Sequence, residues 1–164
     1  MDINRRSLHL SYINNIMDLR WTLKKFEELT SIELYKILQL RSAVFVVEQN
    51  CAFQDMDDKD QASWHLCAWS NDALVAYTRL LPPGISYTEA SVGRVVNAKV
   101  VRGKSIGKEL MQRSVDAIYT LFGKSAIKIG AQLYLKKFYE SFGFKQVSDI
   151  YLEDDIEHIK MLRS

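Results

Sequence analysis

Between Ser91 and Leu121 the spacing of apolar residues changes abruptly from a strand to a helix. Ser91-Val92-Gly93-Arg94-Val95-Val96-Asn97 reads as a strand and Arg102-Gly103-Lys104-Ser105-Ile106-Gly107-Lys108 as a tight turn. Ile106, Leu110, Met111, Val115, Ile118 and Leu121 then form the apolar stripe of a helix that ends near Gly123. A strand passing through a glycine-containing turn into a helix commits this stretch to an α/β arrangement. It also makes an anion site at the junction, because unpaired main-chain N–H groups converge there and the helix dipole adds partial positive charge. Arg102, Lys104 and Lys108 surround the same turn with full charges. A phosphorylated ligand is the expectation.

The flanking segments extend the α/β pattern. Trp21–Phe26 reads as a first strand, and Thr30 followed by Glu33 has the spacing of a capping box. Leu34, Ile37, Leu38, Arg41, Val44 and Phe45 continue at helical spacing until the acidic stretch 54–60 breaks it. His65–Trp69 and Leu74–Leu81 read as a hairpin around Ser70-Asn71-Asp72, and Pro82-Pro83-Gly84 stops the second strand. Ala126–Ala131 reads as a strand and Leu133–Phe142 as a short helix closed by Gly143. Phe144–Val147 and His158–Leu162 supply the last two strands, with Glu153-Asp154-Asp155 between them. The expectation is one α/β domain with a mixed sheet over residues 17–164, preceded by an extension, 1–16, that is either native or carried over from a start upstream of Met17.

With 164 residues and 48% hydrophobic content the chain can bury one core. A net charge of +2 gives no reason to propose nucleic acid. No run of about 18 apolar residues suggests a membrane helix, and Met1–Asn15 lacks the apolar stretch of a secretory signal. Cys51 and Cys67 fit reduced thiols, so a cytoplasmic protein is expected.

Two phosphate chemistries compete for the turn. Ala98-x-x-x-x-Gly103-Lys104-Ser105 approaches a P-loop, but Ala98 replaces the first glycine and the strand 127–131 lacks a following Asp to hold magnesium. The alternative is a diphosphate loop of the form [QR]-x-x-G-x-[GA], matched by Arg102, Ile106 and Gly107 with Ser105 at the middle glycine. Ser105 is expected to keep helical dihedrals and present its N–H. Further segments join it in order: Arg41-Ser42-x-Val44-Phe45-Val46-Val47-Glu48-Gln49-x-Cys51, Asp57-x-x-Asp60 and Gly93-Arg94-Val95-Val96. Ala131-Gln132 follows, then Phe138-Tyr139-x-x-Phe142-Gly143-Phe144 and Glu153-Asp154-x-Ile156-x-His158. From about Trp21 to Met161 the chain thus resembles the GNAT N-acetyltransferase superfamily, in its ElaA-type branch. Asp155 and Glu157 stand where that branch usually has Gly and Pro.

The resemblance implies the acyl-CoA N-acyltransferase fold, a mixed and mostly antiparallel sheet flanked by helices. It also implies transfer of an acetyl group from acetyl-CoA to an amine, with no metal and with a homodimer possible in the superfamily. The diphosphate is assigned to the main chain of Arg102, Gly103, Lys104, Ser105, Ile106, Gly107 and Lys108. The amide-rich pantetheine arm is assigned to main-chain groups of Val95, Val96 and Asn97, with an oxyanion-stabilising bulge in that strand. Gln132 sits where an amide contacts the arm, or is a surface amide. Tyr139 holds the place of the general acid, or is an aromatic packed on the sheet. A protonated amine cannot attack a thioester, so a base is needed; Glu48, Glu153 and His158 are candidates, each with a structural alternative. His65 is expected to brace the acidic loop. That loop is expected to be solvated or braced, since positions six and twelve counted from Asp55 are not the Gly and Glu of an EF-hand. Arg41 is expected to form structural salt bridges with Glu48, Asp57 or Asp60, while Arg79 and Arg94 stay open between structure and substrate recognition. A non-catalytic acyl-CoA sensor that has lost its acceptor site is the alternative to an enzyme.

Overall fold

The computed structural model describes residues 18–164; the extension 1–16 lies outside the described residues. β1 (Arg20–Lys25), β2 (Trp64–Ser70), β3 (Ala73–Leu81) and β4 (Ser91–Asn97) form one antiparallel sheet in that order. β5 (Ile127–Gln132), β8 (Ile156–Arg163) and β6 (Lys145–Gln146) form a second, and β7 (Tyr151–Glu153) also pairs with β8. Among the described residues, α1 (Ser31–Arg41), α2 (Ile106–Phe122) and α3 (Lys136–Glu140) are the α-helices. Among the described residues no helix is long and apolar enough to cross a membrane.

Strand alternation sorts the core. Leu66 and Ala68 of β2 pack with Leu110 of α2, whereas Cys67 and Trp69 face the other way and pack with Ile37 of α1. α1 begins at the capping box: Thr30 Oγ1 accepts from the Glu33 N–H (3.1 Å), and Glu33 accepts from the Thr30 N–H (2.9 Å). Beyond Arg41 the helix widens into a π-helical turn, Ser42–Glu48, in which the N–H of Gln49 reaches Val44 O (3.2 Å). Val44, Val46 and Val47 are β-branched and disfavour a regular α-helix there.

The two sheets touch through one parallel bridge, Ala90 to Ile127, where the Lys128 N–H donates to Ala90 O (3.0 Å). Past that bridge β4 and β5 separate, and the facing edges of both strands are left without a ladder. β4 is also interrupted. Gly93 pairs with Arg79 and Val96 with Tyr77, so Thr78 alone faces both Arg94 and Val95. This is a β-bulge, with Arg94 in the left-handed region at φ 52°.

Four expectations need correction. The helix expected over Leu133–Phe142 is a 3₁₀ turn (Leu133–Leu135) followed by the short α3. The strand expected over Phe144–Val147 contracts to Lys145–Gln146. β7 was not expected at all: Asp154 (φ 50°) and Asp155 (φ 62°) form a two-residue turn with both positions left-handed, which joins Glu153 to Ile156 as a hairpin. Ser105 does not keep helical dihedrals. It sits at φ 63°, ψ 4°, the conformation a glycine would adopt there, just before α2 begins.

Candidate active site

A cleft of about 840 Å³ opens where β4 and β5 part. Val92–Asn97 line one wall and Gly130–Gln132 the other; Tyr139 lies in its floor, and the β7–β8 hairpin with Glu153 and His158 closes one end. The turn also lines the cleft, through Arg102 and Gly107.

At the turn, Gly103 (φ 75°) and Ser105 (φ 63°) flank Lys104. Such alternation curves the main chain so that successive N–H groups point to one side, making an anion-binding concavity. Among the described residues the N–H groups of Gly103, Ser105 and Ile106 have no main-chain acceptor. Val101 and Ile106 are buried beneath the turn and fix it to the core. The chain supplies some of the compensation itself. Oriented to match donors with acceptors, the Asn97 amide accepts from the Gly107 N–H (3.2 Å) and donates to Val96 O (3.2 Å). Gly107 has no room for more: a Cβ there would meet the Asn97 amide at 2.7 Å.

Arg102 is paired with Glu48 through both guanidinium nitrogens, Nη2 to Oε2 being 3.0 Å, and Nη2 also reaches Asn97 O (3.3 Å). The hydrogen bond from Arg102 holds the Glu48 carboxyl below its ordinary range. Glu48 therefore sits at the anion turn. Arg41, for which it was one proposed partner, pairs instead with Asp55 and Asp60.

Tyr139 is 6% exposed, in an edge-to-face cluster with Phe138 and Phe144. Burial raises its phenol above the ordinary tyrosine range, so the hydroxyl keeps its proton at neutral pH. Gln132 donates from Nε2 to Gln49 Oε1 (3.2 Å), linking β5 to the end of the π-helical turn. The Nδ1–H of His158 donates to Ile156 O (2.8 Å), which leaves Nε2 as the basic nitrogen, and the ring stacks on Tyr151 at 5.9 Å.

Two residues of this end gave no signal in the sequence. A Cβ on Gly130 would meet the hydroxyls of Tyr87 and Tyr151 at 3.3 Å each, so both hydroxyls come down onto the bare surface of β5. Burial, then Tyr87 and Glu153, raise the Tyr151 phenol to about 12. A glycine inside an apolar strand pattern marks close approach of another group, and Gly130 was the available clue.

The acidic loop is bound to three arginines. Arg41, fully buried, donates from Nε to Asp55 (2.7 Å) and from Nη1 to Asp60 (2.8 Å). Arg79 donates to Asp57 (2.6 and 2.8 Å) and Asp60 (2.8 Å), and Arg94 to Asp55 (2.7 Å). Burial opposes the charge on Asp57 and Asp60, but the guanidinium hydrogen bonds outweigh it and hold both carboxyls below their usual range. The loop is thus braced, with all three arginines engaged in it. His65 braces it too: Nε2–H donates to Asp60 O (3.0 Å) and Nδ1 accepts from the Tyr77 hydroxyl (2.8 Å).

Of the three departures from the expected pattern, Ser105 and Asp155 take the backbone conformation of the glycine they replace, Ser105 at the turn and Asp155 where it closes the hairpin.

The profile of the acetyltransferase (GNAT) domain family matches residues 33–164. Protein ElaA of Escherichia coli K12 is 40% identical over 147 residues, covering 88% of this chain and 96% of that protein. Among solved structures, an acyl-CoA N-acyltransferase from Pseudomonas aeruginosa superposes with a TM-score of 0.86 at 42% identity, covering 90% of this chain and 100% of that one. Escherichia coli ElaA superposes with a TM-score of 0.85 at 39% identity over the same shares.

Proposed function

Because the chain belongs to the GNAT acetyltransferase family, we propose that it transfers an acetyl group from acetyl-CoA directly to an amine. The observation that carries this reading is the parting of β4 and β5 into a cleft that runs from the anion turn past the bulge to Tyr139. A pantetheine arm has amides at strand-like spacing and suits the unladdered edge of β4 at Val95, Val96 and Asn97. A diphosphate suits the concavity of Gly103–Lys108, and Arg102 and Lys104 add charge to it.

The chemistry follows from the cleft. The amine nitrogen attacks the thioester carbonyl, and negative charge on the carbonyl oxygen is met by main-chain N–H groups of the bulged strand. As the C–S bond breaks, Tyr139 gives its proton to the leaving thiolate. The nitrogen loses its proton to Glu153 or His158, which both line the cleft. Glu48 serves the anion turn in this reading, through Arg102. The acceptor is bound beside Tyr87, Tyr151 and Glu153.

The test is release of free thiol from acetyl-CoA with a panel of primary amines, from polyamines to peptide N-termini. At least one amine is expected to support turnover, and Tyr139→Phe to lower kcat by about 10- to 100-fold while acetyl-CoA still raises Tm. Thermal protection without thiol release on any amine would replace the enzyme with a sensor. Unchanged kcat in Tyr139→Phe would remove that residue from the proton transfer.

A further inference from the structure

We infer that Arg94 and Asp55 form a clamp that holds the β4 bulge in the shape needed to grip the acyl carbonyl. This rests on the reading above, in which the bulge faces the thioester. Arg94 is a non-glycine residue at φ 52°, a conformation that an L side chain adopts only when its surroundings impose it. The restraint is visible. Nε donates to Asp55 Oδ1 (2.7 Å), Nη2 donates to Asp55 O (2.9 Å), and the guanidinium lies over the Phe53 ring at 5.9 Å. Asp55 is itself immobilised, its other carboxylate oxygen taken by the buried Arg41.

The side chain of Arg94 therefore works through its own backbone. It ties the strained residue of β4 to a braced loop, and so fixes where the N–H groups beside Val95 point. Two neighbours support the assignment. Gly93 precedes the bulge with its would-be Cβ 3.5 Å from Leu81, an ordinary contact, so β4 lies close against β3 just before the bulge. Thr78, opposite the bulge, is anchored by a buried hydrogen bond to Ser114 (2.8 Å), so the partner strand does not yield. Arg94 is a positioning residue; its guanidinium is committed to Asp55 and Asp57.

The test needs no acceptor. Coenzyme A lacks the acyl carbonyl, so the ratio of its Kd to that of acetyl-CoA, measured by calorimetry, reports the grip of the bulge. The wild type is expected to favour acetyl-CoA by about fivefold, the worth of one hydrogen bond. Arg94→Ala, which keeps a side chain at positive φ but loses the clamp, should bring the ratio close to one and leave coenzyme A affinity within about twofold. Arg94→Gly, which adopts φ 52° without strain, should recover at least half of the lost preference. Infrared spectra of the bound [1-¹³C]acetyl thioester give a second readout: the carbonyl stretch should move to higher frequency in Arg94→Ala and return towards wild type in Arg94→Gly. A wild-type ratio in Arg94→Ala overturns the clamp. Equal loss in the Gly variant overturns it too, since the guanidinium would then act directly. If Arg94→Ala does not fold, the Gly variant decides alone. If the wild type binds neither ligand, the proposed function fails first and takes the clamp with it.

Discussion

At the residue scale, the side chains around the turn have more than one use. Arg102 is paired with Glu48, and Asn97 caps the Gly107 N–H, so the turn is partly satisfied by its own chain. In the proposed function, a diphosphate entering the concavity competes with the Glu48 carboxylate for the same guanidinium. Removing the competitor should help the ligand: Glu48→Gln is expected to tighten coenzyme A binding about two- to fivefold, the scale of an exposed ion pair, in a calorimetric titration at low salt. Weaker binding in that variant would mean that Glu48 holds the donor and does not compete with it. The residues of the turn were legible in the sequence because a glycine-containing turn between a strand and a helix announces itself. The pairing of Arg102 with Glu48 was not, since they are far apart in sequence and only the packing of the π-helical turn beside the anion loop brings them together. Ser105 shows the same limit. A serine in left-handed conformation has no signature of its own, and its conformation is set by the chain on either side.

At the element scale, the acidic loop and the β2–β3 hairpin behave as one unit. His65, second in β2, has both ring nitrogens satisfied in the neutral form, one donating to Asp60 O and one accepting from Tyr77. Burial, with the nearby charges of Arg41 and Arg79, lowers its pKa below the ordinary 6.5 despite the opposing effect of Asp60. A histidine with a lowered folded pKa contributes stability that is complete above its unfolded pKa and is lost as pH falls through the folded value. The wild-type Tm is therefore expected to fall as pH is taken from 7.5 to 5, and His65→Gln to flatten that slope even if it lowers Tm overall. Equal slopes would show that His65 does not titrate in this window. Asp57 and Asp60 have lowered values as well, so their share is kept down to about pH 4 and lost only below it. The two windows are separable. Periodicity and turn residues made β1–β5, α1 and α2 readable because each is long enough to show its repeat. β7 was not, because three residues carry no period and Asp154-Asp155 looks like loop by composition while acting as a hairpin turn.

At the scale of the whole molecule, the decisive feature is an interruption. Two antiparallel sheets meet at Ala90 and Ile127 and then part, and the cleft exists because β4 and β5 do not complete a ladder. Elsewhere in this chain unpaired strand edges would invite association; here they face inward on a cleft lined also by the turn and the β7–β8 hairpin. Sequence patterns identified the strands on both sides and, through the resemblance, the family. They could not show the gap, because failure of two strands to pair leaves no mark on either strand alone. The bulge, in the β3–β4 ladder at Arg94–Val95, begins one residue before the Val95–Asn97 segment expected from the resemblance. The most direct measurement is a crystal structure with acetyl-CoA bound. The diphosphate is expected within hydrogen-bonding distance of the main-chain N–H groups between Gly103 and Lys108, with the pantetheine arm lying between β4 and β5 and the thioester near Tyr139. Density for the ligand at any other surface, with that cleft left to solvent, would contradict it.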